Sequence, residues 1–374
     1  MKKIIVLGAG MVGGAIAADL CSEFDVTAAD INEERLNVLA ASHHLKILMA
    51  DLSSDDEIKK IINDFDIVVG AVPGFMGFET VKSVIEAGNN IVDISFFEQD
   101  PFLLDDLAKE NNVTAVVDCG VAPGMSSIIL GYHNSKMKIE SFECFVGGLP
   151  ADPEWPYKYR APFSPVDVIE EYTRPARIVE NGRVVVKPAL SEEEFIDFDK
   201  AGKLEAFNTD GLRTLIKTMN IPNMKEKTLR YPGHIEYVKV LRDTGFFGTE
   251  EIEVAGVKVR PVDLSSKLLF PLWKLKEGEK EFTAMKIIIK GEEENANKVY
   301  TYNLFDTYDE ATKTTSMART TGYTCTAVVK MVLSGEYTAK GILPPEFIGA
   351  HEGCYENVLN HLKDRCVNYL LSEK

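Results

Sequence analysis

The chain has 374 residues, with 41 Lys and Arg against 58 Asp and Glu, and its formal net charge of −17 argues against a basic nucleic-acid binder. At 45% hydrophobic and 26% charged it has the composition of a globular protein long enough for two domains, not of a disordered or collagen-like chain. No apolar run approaches the ~20 residues that span a bilayer, and Met1-Lys2-Lys3 leads into a strand-like run without a signal-peptide core, so a cytoplasmic protein with no membrane partner is expected.

Along the first third, short β-branched runs alternate with helical stretches. Lys3 to Leu7, Asp25 to Ala29, Leu45 to Met49, Asp66 to Gly70, Asn90 to Ile94 and Val113 to Val117 predict six strands of a parallel sheet covered on both faces. After about Val121 the pattern changes to longer strand-like runs: Ile139 to Val146, Arg177 to Val186, Lys227 to Arg230, His234 to Val240, Glu251 to Val257, Phe282 to Lys290 and Lys298 to Leu304. Turns such as Asn181-Gly182 and Ala255-Gly256 favour hairpins and an antiparallel or mixed sheet. From Ala318 to Ser334 the pattern is helical again. The six cysteines are scattered, with no CxxC and no Cys/His pair at zinc spacing, so they are expected as reduced thiols and no metal is expected.

Gly8-Ala9-Gly10-Met11-Val12-Gly13 fits GxGxxG directly after a strand and before a helix, the context in which it marks a dinucleotide site. Gly8 permits the tight turn, Gly10 close approach of the pyrophosphate, and Gly13 close packing of helix on strand. Asp30, 20 residues after Gly10, is placed to accept hydrogen bonds from the adenosine ribose, which favours NAD over NADP. Asp51 and Leu52 end the third strand, beside the adenine edge. Ala71, Val72 and Pro73 end the fourth, where a nicotinamide ribose would pass. Each is equally compatible with a surface turn.

Residues 118 to 124 (DCGVAPG) make a resemblance specific. With the Gly8 loop, Val146 to Pro150, Leu204 to Thr209, Thr228 to His234 (TLRYPGH), Met317 to Thr321 and Leu343 to Glu346, the chain resembles the saccharopine dehydrogenase family of the reductase type, with motifs nearest its lysine 6-dehydrogenase branch. Arg160 to Ser164 departs from that branch, and Asp243 to Phe247 looks more like other branches. The resemblance implies an α/β fold: a Rossmann doubly wound parallel sheet (residues 1–123 and 319–374) with an inserted second α/β domain (124–318) containing a mixed, largely antiparallel sheet. It also implies a nicotinamide cofactor, an amino-acid substrate oxidised at a C–N bond, and a homodimer or larger homo-oligomer formed through the second domain's sheet.

Such an oxidation needs a nicotinamide over the carbon, a neutral amine and stabilisation of the iminium. Gly120, Ala122, Pro123 and Gly124, leaving the sixth strand, are expected beside the nicotinamide. Arg230 is the first choice for a substrate carboxylate, with Arg160, Arg174 and Arg213 as competitors. His234 is a candidate general base, equally readable as a structural histidine at a strand start. Glu205 or Asp118 could instead neutralise the amine. The expected reaction is NAD-dependent deamination of the L-lysine ε-amino group. The alternatives are oxidation of a secondary amine such as saccharopine or carboxynorspermidine, and a non-catalytic NAD-binding scaffold. Residues 1–123 hold 8 basic and 21 acidic side chains, so most of the negative charge falls on the nucleotide half, which fits NAD better than its phosphorylated form.

Overall fold

The computed structural model describes residues 1–276 and 278–374. The chain starts with β1 (Lys3–Leu7), α1 (Met11–Leu20), β2 (Asp25–Asp30), α2 (Glu33–Ser42), β3 (Lys46–Met49), α3 (Asp55–Ile62), β4 (Ile67–Gly70), α4 (Gly74–Glu86), β5 (Ile91–Asp93), α5 (Asp105–Glu110), β6 (Thr114–Val116) and α6 (Met125–Asn134). There follow β7 (Lys138–Pro150), α7 (Pro165–Thr173), β8 (Ala176–Glu180), β9 (Arg183–Lys187), β10 (Glu194–Phe198), β11 (Gly202–Asn208), α8 (Leu215–Thr218), β12 (Asn223–Arg230), α9 (His234–Asp243), β13 (Ile252–Val254), β14 (Val257–Val259), α10 (Pro261–Trp273), β15 (Glu281–Glu293) and β16 (Ala296–Thr307). The chain closes with α11 (Ser316–Ser334), β17 (Gly341–Leu343), α12 (Pro345–Ala350), α13 (Cys354–Asp364) and β18 (Tyr369–Glu373). No helix among the described residues is long and apolar enough to cross a membrane.

Two compact units result: Met1–Met137 with Met317–Asn368, and Lys138–Ser316 with Tyr369–Lys374. In the first, seven parallel strands run in the order β17-β6-β5-β4-β1-β2-β3, the doubly wound order extended by one strand from the C-terminal segment. Its strands are buried apolar runs such as Ile4 to Leu7 and Ile67 to Val69, as both faces are covered. Local signals delimit the helices. Ser54 caps α3 by accepting the Glu57 N–H, with Asp55, Asp56 and Glu57 in the first turn and Lys59 and Lys60 in the last, each suited to the helix dipole.

The second unit holds a nine-stranded sheet whose main path is β10-β11-β12-β7-β15-β16-β18, with β8 pairing with β12 and β9 with β8. Among the described residues, only the β12–β7 pair of this sheet is parallel. Hairpin turns carry positive φ at Asn181-Gly182 and Ala255-Gly256, as primed turns require. The core lies between the sheet and α7, α9 and α10, with Phe145, Leu204, Leu229, Ile235, Val238, Leu269 and Trp273 among its buried residues.

Several boundaries differ from the sequence-based division. Helix α6 belongs to the first unit, because it packs against α12 backbone to backbone: a Cβ on Gly131 would lie 2.0 Å from the Glu346 carbonyl oxygen, and one on Gly349 would lie 1.9 Å from that of Ile128. Residues Tyr369–Lys374 belong to the second unit, since β18 pairs with β16. The stretch from His234 to Val240 is a helix, not a strand. Gly233 at φ +91° turns the chain, and His234, Ile235 and Val238, at helical spacing, are the residues it buries. The run Glu251 to Val257 is split by its Ala255-Gly256 turn into the β13–β14 hairpin.

Candidate active site

In the first unit the glycine loop lies between β1 and α1. The Gly8 N–H donates to the Ala29 carbonyl at 2.8 Å, and a Cβ on Gly8, whose φ is +106°, would lie 2.4 Å from the Ala71 oxygen. A Cβ on Gly13 would lie 2.0 Å from the Gly8 oxygen, whereas one on Gly10 would meet nothing within 4 Å. Gly8 and Gly13 are thus demanded by packing, and Gly10 faces open space. No side chain caps the start of α1 and no acidic residue stands in its first turn. A helix start of this kind, with an open approach at Gly10, fits a pyrophosphate.

Asp30 is held at the same loop. Its Oδ2 accepts the Ala9 N–H at 2.7 Å and its Oδ1 accepts the Asn32 N–H at 2.8 Å. The carboxylate therefore points along the β2 end with lone pairs still available for hydroxyl donors. Met11 is exposed, beside the loop's opening. Asp51 follows β3, where the Ala50 N–H meets the Asp30 carbonyl at 3.1 Å, and its own Oδ1 accepts both the Ser53 hydroxyl and N–H. These two bonds hold its carboxyl below the usual range. Leu52 and Val72 turn their side chains into the core, so only their backbone remains for a cofactor. Ala71 abuts Gly8, and Pro73 immediately precedes α4.

The loop from Asp118 to Gly124 is closed on itself. The Gly120 N–H donates to the Asp118 and Pro123 carbonyls, the Met125 N–H returns to Gly120, and the Ala122–Pro123 peptide is cis. Asp118 is buried at φ +55°, and the next residue, Cys119, donates its N–H to the Asp93 carbonyl at 2.9 Å. Asp93, at the carboxyl end of β5, accepts both the N–H and the hydroxyl of Ser95. Asp93 and Ser95 stand where ligands bind in open α/β sheets, and the sequence analysis did not single them out. Their position after the fifth strand was the available signal.

The second unit joins Arg230, His234 and Glu205; Asp118 belongs to the first. Arg230 and Glu205 are register partners across β12 and β11. The Arg230 guanidinium is fully buried. Nη2 meets Glu171 Oε2 at 2.6 Å and Tyr159 Oη at 3.4 Å, Nε donates to Tyr172 Oη at 3.0 Å, Nη1 donates to the Leu229 carbonyl at 2.9 Å, and the group lies 4.3 Å from the Tyr159 ring centroid. Its charge is met within the unit, so Arg230 is not an open clamp for a substrate carboxylate. The competitors are engaged as well. Arg160 pairs with Glu279 and Glu154, Arg174 pairs with Glu170, and Arg213 is buried.

His234 is likewise not an open general base. Its Nδ1 lies 2.7 Å from the Tyr157 carbonyl and its Nε2 2.9 Å from Tyr172 Oη. A carbonyl only accepts, which assigns the proton to Nδ1 and leaves Nε2 to accept from the tyrosine. Burial, then the Arg230 charge, push its pKa down to about 3, so the ring is neutral. Glu205 is the open group: half-buried, it accepts the Gly233 N–H through Oε2 at 3.1 Å, and burial, then Glu236, raise its pKa. Glu171, whose pKa burial also raises, and Tyr172 escaped the sequence analysis. Nothing local separates Glu171 from Glu170, and only the rotation of α7 about its axis does.

Residues 4–116 match the saccharopine dehydrogenase NADP binding domain, and residues 120–367 match the saccharopine dehydrogenase C-terminal domain. The chain is 26% identical over 273 residues to saccharopine dehydrogenase [NADP(+), L-glutamate-forming] of Saccharomyces cerevisiae, a match covering 68% of this chain and 60% of that protein. It thus spans less than two thirds of that relative. Carboxyaminopropylagmatine dehydrogenase of Synechocystis is 22% identical over 378 residues, covering 92% of both chains. The apo structure of saccharopine dehydrogenase (L-Glu forming) from Saccharomyces cerevisiae superposes with a TM-score of 0.80 at 19% identity over 100% of each chain, which shows a shared fold. With both domains matched in order along nearly its whole length, the chain belongs to the saccharopine dehydrogenase family.

Proposed function

We propose that the chain is an NAD-dependent dehydrogenase acting on the C–N bond of a secondary amine derived from an amino acid or a polyamine. The observation that carries the cofactor half is the Asp30 carboxylate, fixed on the Ala9 N–H beside an open Gly10, where it would hold the ribose hydroxyls and repel a 2′-phosphate. The yeast relative's name specifies NADP(+), so the preference for NAD rests on Asp30. Support for a secondary amine comes from the family and from the Synechocystis relative of matching length, whose name denotes such a substrate.

The nicotinamide supplies the hydride acceptor when bound. The chain's own part is to orient that ring through the loop from Gly120 to Gly124 and to move protons. Glu205 receives the amine proton at its carboxylate, a role suited to a half-buried carboxyl with a raised pKa. The buried Arg230–Glu171–Tyr172–His234 network holds β12, α7 and α9, and so keeps Glu205 on its Gly233 anchor. The motif resemblance favours a second reading, deamination of the L-lysine ε-amino group.

The test is reduction of NAD and of NADP by the purified chain with saccharopine, carboxynorspermidine, carboxyaminopropylagmatine and L-lysine, at neutral and alkaline pH. Turnover of a secondary amine, with NAD preferred, is expected. Turnover of lysine alone, with ammonia released, would replace the first reading by the second. Tight NAD binding without any turnover would leave the scaffold alternative.

A further inference from the structure

From Ser316 to Val329, along most of α11, every residue is buried except Thr321. A helix enclosed in this way belongs to the core, and Thr321, half-buried, is its one opening.

Both cofactor loops border that opening. A Cβ on Gly120 would lie 3.2 Å from Thr321 Cγ2, so the threonine methyl rests on the loop from Asp118 to Gly124. One turn further along α11, the Cys325 thiol meets that of Cys119 in the same loop. A Cβ on the next residue, Gly322, would lie 3.2 Å from Ile16 Cγ1 and 3.7 Å from the Val12 oxygen, which sets α11 against the first turns of α1. Thr321 therefore stands where the wall beside the nicotinamide meets the helix that fits the pyrophosphate.

Its hydroxyl differs from those of the other threonines in α11. Thr320, Thr324 and Thr326 are fully buried and donate to the carbonyls of Met317, Thr320 and Tyr323, at 3.4, 2.8 and 3.2 Å. A buried hydroxyl needs such a partner. Thr321 instead donates to Met317 Sγ at 3.6 Å, a weak acceptor, and so keeps both lone pairs and, on rotation, its proton for a ligand. The side chain is β-branched, so seating its methyl on Gly120 also fixes the side on which the hydroxyl lies.

The two ends of the dinucleotide ask for different chemistry. A pyrophosphate takes donors only, and the free N–H groups at the start of α1 supply those. A carboxamide presents a C=O beside an NH2, and a hydroxyl can donate to the first or accept from the second.

We propose that the Thr321 hydroxyl binds the nicotinamide carboxamide and so fixes the orientation of the ring. This inference rests on the cofactor reading above, and its test is binding, not turnover. Titration calorimetry compares NAD with ADP-ribose, which lacks the nicotinamide, on the wild type, Thr321→Val and Thr321→Ser. The valine keeps the shape that packs on Gly120 and removes the hydroxyl, whereas the serine keeps the hydroxyl. Expected is a loss of NAD affinity of about 3- to 10-fold in Thr321→Val, with ADP-ribose affinity unchanged and NAD affinity back within about twofold of wild type in Thr321→Ser. Equal weakening of both ligands in Thr321→Val, no weakening of NAD, or a serine variant as weak as the valine overturns the assignment, while the wild type's NAD binding leaves the cofactor reading in place. A wild type that binds neither ligand overturns both. Should Thr321→Val not fold, Thr321→Ala is titrated with the same two ligands, and if neither folds, Thr321 is structural and the inference fails.

Discussion

The Tyr172 hydroxyl donates to Nε2 of His234 at 2.9 Å while accepting the Nε–H of Arg230 at 3.0 Å. One phenol thus joins a neutral imidazole to a buried cation, and neither partner has another route for those atoms. Tyr172→Phe should therefore lower stability by about 2–4 kcal/mol, since two buried polar groups lose their partner at once. Glu171→Leu alone should cost about 3–5 kcal/mol by leaving Arg230 unpaired, and adding Arg230→Met should recover much of that loss. Urea unfolding of the wild type, Tyr172→Phe, Glu171→Leu, Arg230→Met and the double variant measures both. A double variant as unstable as the sum of its singles would show that the pair is not energetically coupled.

The glycine loop separates packing from binding. Gly10→Ala should stay within about 0.5 kcal/mol of wild-type stability, because its Cβ meets no atom within 4 Å, yet weaken NAD about tenfold or more by filling the approach to the phosphates. Gly13→Ala should destabilise by about 2 kcal/mol or more through its clash with the Gly8 carbonyl. Thermal melts with and without NAD distinguish the two. Equal effects of both substitutions would contradict the assignment.

Asp30→Ala removes the acceptor of the Ala9 N–H together with the carboxylate that would meet the ribose. NAD affinity should fall about 10- to 100-fold and NADP affinity by less, so the preference moves toward NADP. Titration calorimetry with both dinucleotides reads the ratio, and a ratio unchanged from wild type would mean that Asp30 does not face the ribose.

His234 and His361 are both depressed to a pKa of about 3, mainly by burial and then by neighbouring arginines, Arg230 and Arg365. Their unfolded pKa is near 6.5, so below that pH the unfolded chain binds protons that the folded one refuses. Their stabilisation is complete above pH 6.5 and is lost as the pH falls. Each contributes a slope of up to about 1.4 kcal/mol per pH unit, or about 3 kcal/mol together between pH 6.5 and 5. The raised carboxyls of Glu171 and Glu205 act in the opposite sense, since above the unfolded carboxyl range the folded chain holds protons there that the unfolded one has released. Denaturant midpoints at pH 7 and 5 should show the drop, and His361→Gln should show about half of it.

Glu205→Gln keeps an acceptor for the Gly233 N–H but cannot take a proton. Turnover should fall about 10²- to 10⁴-fold, with NAD affinity unchanged and the acidic limb of the pH–rate profile removed. An intact acidic limb would assign that limb to a different group.

Within the first unit the legible features were local ones. The fingerprint from Gly8 to Gly13 is contiguous, Asp30 follows at the spacing of one βαβ turn, and each strand is a short apolar run bounded by turn residues. Six of the seven strands could be read in this way. The seventh, β17, is only Gly341–Leu343, too short to carry a period. In the second unit, β-branched residues at Ile235, Val238 and Val240 imitate a strand, and the helix is decided by the Gly233 turn and by packing of α9 on α7.

The sequence by itself determined the family, the dinucleotide fold and the place of Asp30, because each depends on residues close together in the chain. Only the tertiary structure decided which charged groups are open to a substrate. Glu170 meets Arg174 one helical turn away, while its neighbour Glu171 reaches Arg230 across 59 residues. That second contact converts Arg230 from a free cation into a buried pair; burial and the Arg230 charge keep His234 neutral, and Glu205 is left as the half-buried carboxyl proposed for acid–base work. A periodic pattern records which face of a helix is buried, but not which partner it meets there.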